Sequence, residues 1–163
     1  MGLLTIGAFA RAAGLSPKAL LWSGSQLALV HIGDTRAYVL RDGALFQITH
    51  DHTVVQSLLD EGRITADEVA SHPQRSLLLR ALDGSGQPEP DLSLADARVG
   101  DRYLLCSDGL TAVATMEQIH QVLDAAGQPE QAVGQLIDLA NQGGGPDNIA
   151  CAVADIVELP GLG

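Results

Sequence analysis

The stretch HIGDTRAYVLRDGALFQITHDHT, residues 31–53, decides how the rest of the chain is read. At its centre is a hairpin. Ala37 to Leu40 and Ala44 to Ile48 flank Arg41-Asp42-Gly43, and Asp-Gly supplies the positive φ angles of a tight turn. A second hairpin stands just upstream, where Leu20-Leu21-Trp22 and Leu27-Ala28-Leu29-Val30 flank Ser23-Gly24-Ser25. Downstream, Thr53 opens a helix through Leu59 that closes at Gly62, and Thr65 with Glu68 makes the capping-box pattern of a short helix. That helix must stop near His72-Pro73. Arg75 to Leu82 is apolar and fits helix or strand, and Gly84 to Pro90 is a turn-rich connector. Tyr103 to Cys106 reads as a buried strand broken at Asp108-Gly109. Amphipathic helices follow over Met116 to Ala125 and Pro129 to Asn141, and Gly143-Gly144-Gly145 leads into a last strand, Ile149 to Val157. Hairpin-paired strands first and grouped helices afterwards imply an α+β fold with antiparallel sheet rather than βαβ units.

The chain has 163 residues, 46% of them hydrophobic, enough for one domain with a sizeable core. Aromatic residues make up 3%, so that core is built from Leu, Val, Ile and Ala. The formal net charge is −11, and no Asp or Glu precedes Asp34. Such an acidic body repels phosphates and argues against broad nucleic-acid binding, while it suits divalent cations. Cys106 and Cys151 both lie in apolar runs and read as small buried hydrophobes, not as a disulfide framework or a zinc site. No apolar stretch approaches the ~20 residues that cross a bilayer, and the N-terminus is amphipathic rather than signal-like. A cytoplasmic setting without membrane contact is expected.

Two acidic residues stand out by position. Asp108 ends the apolar strand Leu104-Leu105-Cys106, next to Gly109, and Asp147 sits between Pro146 and the apolar Ile149-Ala150-Cys151. Carboxylates at the ends of different strands can converge on one hard cation, which takes oxygen ligands and keeps several waters. Taken singly, Asp-Gly and Pro-Asp are ordinary turn dipeptides, so the pair alone does not make a metal site.

The blocks HIGDTRAYVLRDGALFQITHDHT (31–53), LLCSDGL (104–110) and GGGPDNIACAVA (143–154) resemble, in order and spacing, the signature blocks of the type 2C (PPM) metal-dependent Ser/Thr protein phosphatases. The intervening SLLDEGRITADEVASHPQRSLLLRALDG resembles that family's flap region, so the likeness covers about residues 20–159. It implies a partial α-β-β-α sandwich with antiparallel sheets and hydrolysis of phosphoserine or phosphothreonine in proteins. It also implies Mg²⁺ or Mn²⁺ ions that bridge the attacking water, lower its pKa and neutralise phosphoryl charge. Residue by residue, Asp108 matches the metal ligand of the SDG block, with Gly109 beside it, and Asp147 that of the PDN block. Asn148 is expected to orient Asp147. Gly33, Asp34 and Arg36 match the GD[ST]R block as a structural motif, in which Asp34 and Arg36 pair or cap the hairpin. His50 and His52 are expected to make local hydrogen bonds rather than bind metal.

Two further family motifs precede the GD[ST]R block: an Arg with a downstream Asn-Glu-Asp run that grips phosphate, and an Asp-Gly-x-Gly-Gly run whose Asp bridges both metals. The 33 residues before Asp34 hold neither. The chain is therefore expected to be an N-terminally truncated phosphatase domain with a weak or incomplete metal site, impaired or inactive alone, with apolar sheet surface available for self-association. The alternative is a non-catalytic binding remnant.

LTIGAFARAAGLSPKAL, near the start, resembles the opening of a MerR-type helix-turn-helix DNA-binding domain. The expected organisation is a MerR-like remnant at 1–20, a partial phosphatase domain at 21–159 and a tail at 160–163, with the further alternative of a MerR-type regulator fused to a phosphatase module. With Arg11 and Lys18 as the basic residues of that segment and no wing, useful DNA binding is not expected.

Overall fold

A computed structural model describes residues 19–23, 25–69, 71–80 and 89–158, with the backbone alone for 19–23. The expected helix-turn-helix over 3–20 lies outside these residues up to Lys18, as does the tail at 160–163. Ala19 and Leu20 are already strand, so the sheet begins two residues before the expected boundary.

In chain order the elements are β1 (Ala19–Ser23), β2 (Gln26–His31), β3 (Arg36–Arg41), β4 (Ala44–Gln47), α1 (Val54–Asp60), α2 (Ala66–Val69), β5 (Asp91–Asp96), β6 (Arg102–Cys106), α3 (Asp108–Thr111), α4 (Met116–Ala125), α5 (Pro129–Gln142) and β7 (Cys151–Asp155). They form two antiparallel sheets, one ordered β1-β2-β5 and the other β4-β3-β6-β7. Both expected hairpins are present, with Ser23 opposite Gln26 and Arg41 opposite Ala44. Asp42 and Gly43 take φ 52° and 76°, the doubly left-handed turn that matches strand twist.

Alternation along β3 and β6 puts two cores on opposite faces of the second sheet. Ala37, Val39 and Tyr103 face the first sheet and pack against Leu27, Leu29 and Ala97. Tyr38, Leu40, Leu104 and Cys106 face the helices and pack against Ile119 and Leu123 of α4 and Ala132, Leu136 and Ala140 of α5. The helical spacing of those residues places them in one stripe per helix. Removing each such Leu from water contributes about 1.5–3 kcal/mol. Thr115 and Gln118 cap α4 reciprocally, and Pro129 starts α5 at a position where its missing N–H costs nothing. No basic residue lies in the last turn of α4; Arg102 of β6 supplies the cation instead, donating to the carbonyls of Leu123 and Ala126 while it pairs with Asp155.

The result is an α+β stack of sheet, sheet and helices. On the other side, register puts Leu92 and Leu94 of β5 opposite Val30 and Ala28 of β2, away from Leu27 and Leu29. Among the described residues no helix covers that outer face, and Leu92 and Leu94 are 75% and 74% exposed. No helix among the described residues is long and apolar enough to cross a membrane.

Candidate metal centre

Strand β6 ends at Cys106, and Ser107 starts the single helical turn that carries Asp108. Ser107 also holds the loop that carries Asp147. Its N–H donates to the Ala150 carbonyl (2.9 Å), its hydroxyl donates to the Asn148 carbonyl (3.1 Å), and it accepts the Ala150 N–H (3.1 Å). The two chain segments touch at Gly109, where a Cβ would stand 2.3 Å from the Asn148 oxygen. Glycine is needed there to let the Asp108 turn close against the Asp147 loop. Asn148 acts through its backbone, whose N–H donates to Asp147 Oδ1 (2.7 Å). The bond to Asp147 is made by the Asn148 peptide rather than by its amide side chain.

Asp34 follows Gly33, at φ 99°, in the β2–β3 turn, near enough for its charge to act on Asp108. Burial pushes the Asp108 carboxyl above the usual carboxylate range, and the charges of Asp34 and Asp147 push it further. The charges of Asp34 and Asp147 thus act on Asp108 in addition to its burial, and that unfavourable charge is what a cation would relieve. The donor set is hard oxygen, which suits Mg²⁺ or Mn²⁺.

Of the two roles expected of Asp34 and Arg36, pairing with each other or capping the hairpin, the pairing is not made. Arg36 Nε and Nη2 instead donate to Asp51, at 2.9 and 2.8 Å from its Oδ2. Asp51 is buried, and so takes the guanidinium and leaves Asp34 to the acidic cluster. The place of Asp34 was open to the rule that singled out Asp108 and Asp147, since it too follows a strand end beside a glycine. His50 bonds Asp60 (2.7 Å), and His52 bonds Gly33 and Asp91. The ligand atoms of His31, His52 and Asp91 lie within 4.8 Å of one another, a grouping with no sequence signal because its members are dispersed along the chain.

No family model matches the chain. Over 145 residues it is 54% identical to the Ser/Thr protein phosphatase PstP of Mycobacterium tuberculosis, which covers 89% of this chain and 28% of that protein. It superposes on the crystal structure of Mycobacterium tuberculosis PstP/Ppp with a TM-score of 0.83 at 49% identity, covering 94% of this chain and 67% of that one. A structure of the PstP catalytic domain in complex with two manganese ions gives 0.77 at 46% identity, with 94% and 66% covered. The PPM Ser-Thr phosphatase MsPP of Mycobacterium smegmatis, in complex with cacodylate, gives 0.77 at 39% identity, with 85% and 61% covered. The chain thus spans about two thirds of the crystallised relatives and 28% of the full PstP sequence.

Proposed function

The chain belongs to the PPM family of Ser/Thr protein phosphatases, and on that premise we propose that Asp34, Asp108 and Asp147 are its share of a metal centre that hydrolyses phosphoserine and phosphothreonine esters in proteins. The observation that carries this reading is the close approach of the Asp108 turn to the Asp147 loop at Gly109, held by Ser107, with the Asp108 carboxyl raised by burial and by the charges of Asp34 and Asp147. Asp108 and Asp147 would hold Mg²⁺ or Mn²⁺, Gly109 lets their loops meet, and the Asn148 N–H fixes the Asp147 carboxylate. Bound divalent ions supply an activated water and neutralise phosphoryl charge.

The chain's own residues do the positioning. Ser107 stitches the two acidic loops together, so the carboxylates are set before any ion arrives. Arg36 is committed to Asp51 and is not left to grip a phosphate. The sequence contains no Asp-Gly-x-Gly-Gly run to supply a bridging carboxylate. This polypeptide is therefore read as an impaired or inactive phosphatase when alone, and as a binding module if no second chain completes it. Leu92 and Leu94, exposed on the first sheet among the described residues, support self-association. Residues 1–20, read as a MerR-like remnant, are not expected to bind DNA by themselves, and the setting is read as cytoplasmic.

The test is calorimetric titration with Mn²⁺ alongside hydrolysis of p-nitrophenyl phosphate, for the chain and for Asp108→Ala. Mn²⁺ binding that Asp108→Ala abolishes, with little or no turnover, is the expected result. Mn²⁺ binding indifferent to Asp108 would overturn the assignment of the centre. A clear Mn²⁺-dependent rate would overturn the reading of impairment.

A further inference from the structure

We infer that His52 is a positioning residue that sets the Gly33–Asp34 turn from outside the acidic cluster; the inference rests on reading that cluster as a cation site. Both backbone polar groups of Gly33 end on this one residue. The backbone N–H of His52 donates to the Gly33 carbonyl (2.9 Å), and Nδ1 of its ring accepts the Gly33 N–H (3.2 Å). The ring is 5% exposed, so this pairing is shielded from competing water. Gly33 has a left-handed φ of 99°, and Asp34 is the next residue, so the direction of the Asp34 backbone depends on how Gly33 is held.

The neighbours of His52 complete the grip. Asp51 takes the Arg36 guanidinium, and the Thr49 hydroxyl accepts the Ala37 N–H (3.0 Å). Residues 49, 51 and 52 therefore hold positions 37, 36 and 33, bracketing Asp34 without touching its carboxylate.

The far edge of the ring fixes its tautomer. With Nδ1 accepting, the neutral imidazole carries its proton on Nε2, which points at Asp91 Oδ2 (2.9 Å). Arg80 donates to the other oxygen of Asp91 (3.0 Å). This argues against His31, His52 and Asp91 as a metal site. An ion on His52 Nε2 would place the ring proton on Nδ1, where it would face the Gly33 N–H donor to donor. The grouping is a hydrogen-bond relay that ties β5 to the Asp34 turn.

Isosteric substitution separates the two ring nitrogens. His52→Asn keeps an acceptor near the Nδ1 position, His52→Gln moves it toward Nε2 and Asp91, and His52→Ala removes both. We measure the Mn²⁺ dissociation constant by calorimetry and, on metal-free protein, exchange of the Gly33 amide by NMR, normalised to a core amide such as that of Leu104. His52→Asn is expected to keep Mn²⁺ affinity within about twofold and a protected Gly33 amide. His52→Gln and His52→Ala are expected to weaken Mn²⁺ by about fivefold or more, the loss of one shielded hydrogen bond, and to expose that amide. If Asn behaves like Gln and Ala, or if all three match the parent, the inference is overturned. Should the parent itself bind no Mn²⁺, the metal-centre reading fails, and Gly33 exchange still decides whether His52 holds the turn.

Discussion

Gly109 lies so close to Asn148 that an added Cβ would stand 2.3 Å from its carbonyl oxygen, a backbone atom that Ser107 also holds. Gly109→Ala is therefore expected to cost about 1–3 kcal/mol of stability, the range for overpacking a well-fitted site. It should also weaken Mn²⁺ binding, because the strain is relieved by parting the Asp108 turn from the Asp147 loop. Urea unfolding with and without Mn²⁺ measures both effects; unchanged values in both would show that the contact is not needed.

Asp108 has the opposite character. Its carboxyl is raised by burial, then by Asp34 and Asp147, so its folded value lies above its unfolded one. Ionised Asp108 thus works against the metal-free fold above both values, and stability is regained as pH falls from the folded value toward the unfolded one. Asp108→Asn is expected to leave the metal-free Tm at pH 7 unchanged or raised by about 1–2 °C. The same variant should lose the Mn²⁺-induced rise in Tm that the parent shows. A clear drop in the metal-free Tm would contradict the electrostatic account.

Asp101 shows how a buried carboxylate behaves when it is satisfied. Burial works against its charge, but Arg41 (2.7 and 2.6 Å) and the Arg98 N–H (2.8 Å) outweigh that and hold its carboxyl below the usual range. Its contribution is present above the unfolded value of about 3.9 and is lost as pH falls through the lower folded value. The Asp101 side chain is 2% exposed and Arg41 24%, so removing Asp101 strands a guanidinium with partial access to water. Asp101→Ala is expected to cost about 2–4 kcal/mol at pH 7. In urea titrations across pH the difference between parent and variant should shrink only in strong acid; a gap that closes already at pH 6 would refute the assignment.

Leu92 and Leu94 present an apolar face with no cover among the described residues. The pair Leu92→Lys and Leu94→Lys is expected to shift sedimentation toward monomer. Burial of the two leucines in a self-associated form is worth up to about 3–6 kcal/mol. A parent that is already a monodisperse monomer would remove the basis for self-association.

Much of this architecture is legible in local chemistry. Asp42-Gly43 announces its hairpin because few other dipeptides accept two positive φ angles, and Thr53, Thr115 and Pro129 mark helix starts where the helices do start. Strand β5 is not legible in the same way. Asp91 to Asp96 has six exposed residues and gains its strand geometry from pairing with β2, whose partner residues lie 60 to 70 positions earlier in the chain. Asp108 and Asp147 are visible as carboxylates at strand ends, and Asp34 obeys the same rule. Its proximity to Arg36 suggested a local pair, which the buried Asp51 displaces. The partners of His52 are hidden for the reason that hides β5, since Gly33 and Asp91 reach it only through the folded sheets.

Among the described residues strand β5 also forms an edge of its sheet, so one row of its N–H and C=O groups has no strand partner there, beside two exposed leucines. Such an edge is a template for strand addition. Its guards are chemical rather than architectural: an aspartate at each end of the strand, Asp91 and Asp96, on a chain that carries −11 overall. Without those two charges the strand would be a short greasy ribbon open to its own copies, the first step toward fibril-like stacking.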